Sequence, residues 1–301
     1  MNKTERQKKK KQKQTMAQLE TYKGYYLWKY VPSQAGAVIF LLLFLTATAY
    51  HTWRIWKHKT YFCICFAIGG FFEFIGYCAR ASAHSKTGRM MPFCIQNVYI
   101  LLGPALFAAS IYMILGRLIV AARAENHSLI PARWLTKIFV LGDILSFLIQ
   151  GGAAGMMVSS DLASLGNKLV VIGLVVQVVM FGVFIITAVV VHVRMWRRSQ
   201  GGFAGEAFGG DGGGGGLSWV SRHLVTLYLV SGLIMVRSVF RVAEFVMGDD
   251  GYLLTHEWTL YVFDAALMWL VMVVFGVRYP GDISMYSRVS EDRVKLTGMG
   301  A

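Results

Sequence analysis

Seven stretches of this 301-residue chain are apolar over about 20 residues or more: 35–54, 61–80, 96–119, 136–157, 168–193, 219–245 and 257–277. Coiled into a helix, a run of that length crosses a hydrocarbon core roughly 30 Å thick. Inside lipid, helices and closed barrels are the structures that pair every backbone polar group. Barrel strands alternate apolar with polar residues, whereas "VVIGLVVQVVMFGVFIITAVVV" (170–191) is apolar almost throughout. The expected fold is therefore all-α: a polytopic membrane protein built as a seven-transmembrane-helix bundle. Charged residues make up 15% of the chain, against about 25% in soluble domains. Mostly short connections make residues 30–280 one membrane domain. A basic tail (1–29), expected to be disordered, precedes it, and a short cytoplasmic tail (281–301) follows.

The net charge of +14 suggests a polyanionic partner. However, Lys and Arg cluster in the first tail and beside the apolar runs, where anionic lipid headgroups lie. With no folded basic domain, no nucleic-acid partner is expected. One side of the bundle collects Arg54, Lys57, Lys59, Arg123, Arg133, Lys137, Arg194, Arg197, Arg198, Arg222, Arg278, Arg288, Arg293 and Lys295. The loops of the other side carry Arg80, Lys86, Arg89 and Lys168. The positive-inside rule then places the amino terminus outside and the carboxy terminus in the cytoplasm. The first tail holds nine basic residues through Lys29, but most lie too far from the first run for the rule to count them.

Local signals fill in the frame. Tyr22, Tyr25, Tyr26, Trp28 and Tyr30 suit a headgroup layer, and Ser33 after Pro32 reads as an N-cap for the first span. The charged region before that span is longer than a whole signal peptide, so the span is expected to be retained. Asn2-Lys3-Thr4 is a glycosylation sequon. The segment 199–217, "SQGGFAGEAFGGDGGGGGL", is a flexible linker and lacks the Gly-Lys-Ser/Thr of a phosphate loop. Cys63, Cys65, Cys78 and Cys94 lack C-x-x-C spacing and read as small buried apolar residues. The seven histidines form no H-x-x-x-H pair. No catalytic residues, no metal and no cofactor are expected, and the chain is not read as an enzyme.

The polar residues inside the runs carry the most information. "LIMVRSVFRVAEFVMG" (233–248) places Arg237, Arg241 and Glu244 at i, i+4 and i+7, on one helical face. Glu257, Tyr261 and Asp264 repeat the spacing, and Glu73 and Arg80 lie seven apart. An Arg or Asp at a bilayer centre costs about 2.5–3.5 kcal/mol on insertion scales. Because span direction alternates, all these charges fall in one half of the membrane. Stripes that face one another can neutralise each other. Glu73, Arg237, Arg241, Asp264, Glu244, Glu257 and Arg80 thus form a candidate polar pocket for a ligand, with Arg80, Glu244 and Glu257 expected at its rim. A static ion-pair network is the alternative. Elsewhere, Asp143 is expected to pair with Arg117, while Gln150 and Gln177 are mid-membrane amides able to join helices. The small residues of "QGGAAG" (150–155) permit close helix approach, and Pro104 removes a backbone hydrogen bond from the third span.

Several motifs together resemble the fungal RTA-like family, also called the lipid-translocating exporter family. They are "YVPSQAGAVIFLLLF" (30–44), "FFEFIGYCAR" (71–80), "QNVYILLGPALFAASIYMILGR" (96–117), "FVLGDILSFLIQGGAAGM" (139–156), "GLVVQVVMFGVF" (173–184), "VRSVFRVAEFVMG" (236–248) and "HEWTLYVFDAALM" (256–268). The resemblance runs over about 30–280. Where that family often has a His-Pro pair after the last span, Arg278-Tyr279-Pro280 stands here. The resemblance implies a multi-pass protein, expected in the plasma membrane. It also implies translocation or export of sphingoid long-chain bases and resistance to toxic amphiphiles. Its partners are then membrane lipids and sphingoid bases or similar cationic amphiphiles. The alternative is a seven-span lipid sensor or receptor that signals to other transport machinery.

Overall fold

A computed structural model of the chain describes residues 28, 30–84, 87, 89–121, 132–156, 163–200, 215–248 and 251–279. The basic tail ahead of Trp28, its sequon, most of the Gly-rich linker and the last tail lie outside the described residues. Six long helices come first: α1 (Gln34–His58), α2 (Ile64–Ala83), α3 (Met90–Ala121), α4 (Ala132–Met156), α5 (Ala163–Gln200) and α6 (Gly215–Val246). A short helix α7 (Tyr252–Thr255) leads to the last span, which runs as α8 (Glu257–Leu260), a π-helical segment (Tyr261–Ala266) and α9 (Leu267–Val277). Seven of these helical segments are long and apolar enough to cross a membrane, and the described residues contain no strand, as the all-α expectation required.

Local chemistry sets the ends of α1. Ser33 is extended, and its Oγ accepts from the Gly36 amide at 3.3 Å, the expected N-cap. Lys59 ends the helix with φ 52°, and its amide bonds the Ile55 carbonyl. Lys57 and His58 in the final turn suit the negative end of the helix dipole.

The interior is built around a large aromatic and aliphatic core, and the outside is apolar as well. Phe44, Phe66, Tyr77, Phe107, Tyr112, Phe139 and Phe184 are fully buried, while Leu141, Leu148, Val179 and Ile186 are exposed. An exposed Leu facing acyl chains costs nothing, so hydrophobicity alone does not choose which face turns inward. Close packing and polar contacts choose it.

Close packing is tight between α2 and α3. A Cβ at Gly69 would lie 2.9 Å from the Gly103 carbonyl and from the Phe107 ring. A Cβ at Gly103 would lie 2.7 Å from the Glu73 carboxylate. The close approach expected at "QGGAAG" is met in part: Ala153 is buried with Val170 and Leu174 of α5, while Gly151 and Gly152 have open space around them. They lie on the exposed side of α4, and the intimate contact there comes from α5, where Gly173 meets Gln150 and Ser146.

Gly69→Leu is expected to overpack this contact and cost about 1–3 kcal/mol. Gly232→Leu, at a position with no neighbour within 4 Å, is expected to stay within about 0.5 kcal/mol. Thermal unfolding of the two variants in detergent separates these outcomes.

Candidate functional site

Arginine is the costliest residue in these spans, and each inward-facing arginine here is surrounded by acceptors. On α6, Arg237 is 1% exposed. Its Nε donates to Asp264 Oδ1 at 2.7 Å and its Nη2 to the Ile100 carbonyl at 2.8 Å. That carbonyl is free because residue 104 is proline, which has no N–H to return to the carbonyl four residues earlier. One turn along α6, Arg241 donates from Nη2 to Asp264 Oδ2 at 2.5 Å and from Nη1 to Glu244 Oε2 at 2.8 Å. Asp264 therefore bridges both arginines, one on each oxygen. It sits in the π-helical segment of the last span, and such segments recur at functional sites.

A second cluster lies one to two turns nearer the end of the bundle. Arg80 on α2 is fully buried. It donates from Nη2 to Glu257 at 2.7 Å and to the Tyr30 hydroxyl at 3.0 Å, from Nε to the Tyr261 hydroxyl at 3.1 Å, and from Nη1 to Gln96 at 3.3 Å. The rings of Trp28, Tyr30 and Tyr261 pack around the guanidinium at 5.9, 5.6 and 5.1 Å. Glu257 also accepts from the Ser33 amide at 2.7 Å, which ties the start of α1 to the start of the last span. Only Glu257 sits at the expected rim, with 18% of its side chain exposed. Arg80 and Glu244 do not: both are buried, Arg80 beneath Glu257 and against Tyr261 and Gln96, Glu244 against Arg241.

Glu73 is the exception. It is 1% exposed and packs against Gly103 of α3. It forms none of the ion pairs found among the described residues, and its buried Oε1 has no hydrogen-bond partner. Its electrostatic neighbours are Asp264, Arg237 and Arg241. Arg237 and Arg241 are already balanced by Asp264 and Glu244, so Glu73 is an unmatched acid beside a neutral group of four. Two more unsatisfied atoms share this neighbourhood, the Tyr77 hydroxyl and Arg241 Nε. Tyr77 stacks between Phe44 and Tyr261, at centroid distances of 5.4 and 6.4 Å. Its spacing from Glu73 and Arg80 is i+4 and i−3, so the stripe that revealed those two residues also contains Tyr77.

The remaining polar residues form a separate seam. Asp143 is not paired with Arg117. Its Oδ2 accepts from the Tyr112 hydroxyl at 3.0 Å, while Arg117 is exposed and lies over the Phe62 ring at 4.5 Å. Arg117 lies on the exposed face of α3, beside the buried Leu115 and Leu118, and its long side chain rests on an aromatic ring instead. Gln150 reaches Gln177 across the α4–α5 contact at 3.4 Å and Ser146 at 3.3 Å.

Removing one member of a buried ion pair typically costs about 3–5 kcal/mol, because the other charge is left uncompensated. Asp264→Asn is expected to fall in that range. Combined with Arg237→Met, it is expected to recover most of the loss. Glu257→Gln, at the partly exposed rim, is expected to cost less than Asp264→Asn. Folded yield and thermal unfolding of the purified variants measure all three.

The family described as "RTA1 like protein" matches residues 66–286. The chain is 35% identical to Protoporphyrin uptake protein 1 of Saccharomyces cerevisiae, over 85% of its own length and 93% of that protein. It is 40% identical to Protein RTM1 of the same yeast, over 69% of this chain and 64% of the relative. Sphingoid long-chain base transporter RSB1 from S. cerevisiae is 24% identical, over 83% of this chain and 72% of the relative. No solved structure matches. The match covers most of the membrane domain, including Glu73, Arg80, the α6 arginines and Asp264, and this integral, multi-pass membrane protein belongs to the RTA1-like family.

Proposed function

We propose that this chain translocates amphipathic lipids across a membrane, with sphingoid long-chain bases or similar cationic amphiphiles as the substrate class. The observation that carries the reading is the set of unsatisfied atoms around the Arg237–Asp264 pair. Glu73 Oε1 is an acceptor with no donor, Arg241 Nε a donor with no acceptor, and the Tyr77 hydroxyl either one. Buried polar groups are nearly always satisfied, so such a concentration calls for a partner. A sphingoid base offers an ammonium group and hydroxyls on one end of an alkyl chain. The ammonium supplies the charge that Glu73 lacks, and the hydroxyls suit Tyr77 and Arg241. The tail can stay among the acyl chains that bathe the outer faces of the helices.

The names of two relatives support transport of membrane-active molecules, one of a sphingoid base and one of a porphyrin. The chain carries no phosphate loop, so movement runs downhill or draws on an ion gradient. The excess of Lys and Arg in the loops on one side supports a cytoplasmic carboxy terminus, and we assign the plasma membrane as the site of action.

The test uses purified full-length protein in liposomes, with a labelled sphingoid base. The protein is expected to accelerate transfer between leaflets. Glu73→Gln, which keeps the shape and removes the charge, is expected to slow it about tenfold or more, since a charge-assisted hydrogen bond contributes about 1.5–3 kcal/mol. Binding without transfer overturns transport in favour of a lipid sensor. Transfer of a labelled porphyrin but not of the base overturns the substrate class.

A further inference from the structure

Asp143 is a buried acid that the site above does not use. It is 7% exposed, on the inward face of α4. Its hydrogen bond from Tyr112 occupies Oδ2, while Oδ1 is buried and has no partner. Among the described residues no Lys, Arg or His lies within ion-pair distance of it. The groups around it are few. From α3 comes Tyr112, the one titratable side chain among the described residues that hydrogen-bonds to it. From α5 come Phe181 and Phe184, which pack on the Tyr112 ring at centroid distances of 6.1 and 4.5 Å, and Met180 against Gly142. On α4 itself, Phe139 also meets Tyr112, at 5.4 Å.

Farther along the same face of α4, Ser146 and Gln150 follow at i+3 and i+7. Both are buried, and Gln150 Oε1 is also unpartnered. The polar seam thus extends about 10 Å along the helix at 1.5 Å per residue. The Glu73 site is a separate place. It touches α3 at Ile100 and Gly103, whereas the Asp143 site touches α3 at Tyr112, about 14–18 Å from them along that helix.

We propose that the Asp143–Tyr112 pair is a second site, one that binds and releases a single proton within the bundle. The donor set selects the ligand. A hard metal cation needs about six to eight oxygens. Here two carboxylate oxygens and one phenol stand together, and no group of three or more His, Cys, Asp or Glu forms among the described residues. A proton needs a single oxygen lone pair, and Oδ1 offers one. Uptake forms an O–H bond at Oδ1 from a hydronium ion and removes the buried charge, while Tyr112 continues to donate to Oδ2. Release reverses the step. The Ser146–Gln150–Gln177 seam supplies hydroxyl and amide groups on the way toward the other end of α4. If the chain transports lipid as proposed above, this proton is the coupling ion.

Infrared difference spectra of the full-length protein in liposomes, recorded between acidic and alkaline buffer, test the site directly. A protonated-carboxyl carbonyl band is expected to titrate and to lose one component in Asp143→Asn. Tyr112→Phe is expected to shift that component in frequency, because it removes the donor to the same carboxyl. Asp143→Glu is expected to restore a band. A wild-type spectrum without a titrating band, or one unchanged in both Asp143→Asn and Tyr112→Phe, overturns the proposal. A second arm rests on the transport reading. With a pH dye trapped in the lumen, labelled base added to wild type is expected to change luminal pH, and Asp143→Asn to reduce that change at least tenfold. Equal changes in the two proteins overturn the coupling. If wild type moves no base at all, the transport reading fails, while the infrared result still decides the proton site.

Discussion

The bundle depends on Asp264 serving two arginines at once. Two guanidinium groups one turn apart on α6 would each be costly in lipid, and one carboxylate reaches both because they project from the same face toward the last span. Glu244, three residues beyond Arg241, supplies the second negative charge from the same helix. The result is a neutral group of four that fixes the rotation of α6 about its axis. A rotation that turned the arginines outward would separate two ion pairs and expose the charges to acyl chains. Since an apolar face is as comfortable in lipid as in the core, this electrostatic constraint does the orienting that hydrophobic burial performs in water-soluble proteins.

Around that group the helices divide into two polar neighbourhoods joined by α3. One half of the bundle, from α1, α2, α6 and the last span, holds the paired charges and the Arg80 cage. The contacts among α3, α4 and α5 hold neutral and acidic groups, and among the described residues no ion pair forms there. Arg80 is saturated by four hydrogen bonds and three rings, so it behaves as a fastener between Trp28, Tyr30, α2 and the last span. Glu73, about two turns deeper in α2, has none of those partners. The contrast between two residues of one stripe separates structural charge from available charge.

Much of this was legible in the sequence. The all-α bundle followed from run length, since few other arrangements satisfy a backbone in lipid. The meeting of α2, α6 and the last span followed from charge: three stripes with i, i+4, i+7 spacing at matching depth have nowhere else to go. What the sequence hid was pairing that depends on distant segments and on side-chain reach. Asp143 and Arg117 looked complementary by sign and span order, but reach and orientation gave Asp143 to Tyr112 and Arg117 to Phe62. The Gly-Gly pair at 151 and 152 looked like a packing seam but faces outward, because the helix turned its Asp143–Ser146–Gln150 stripe inward. Tyr77 carried a readable signal through its spacing from Glu73. The Ser33 amide on Glu257 carried none, because no side-chain pattern announces a backbone donor 224 residues away.

Pro104 gives the third span a debt that another helix settles. The Ile100 carbonyl, denied its own helix's N–H, accepts from Arg237 instead. A bond that ordinarily closes within one helix here crosses to a second, so α3 and α6 are yoked at that level. Sliding either past the other would strand a carbonyl in hydrocarbon. Any motion that opens a way to Glu73 therefore carries these two spans as one piece at that level.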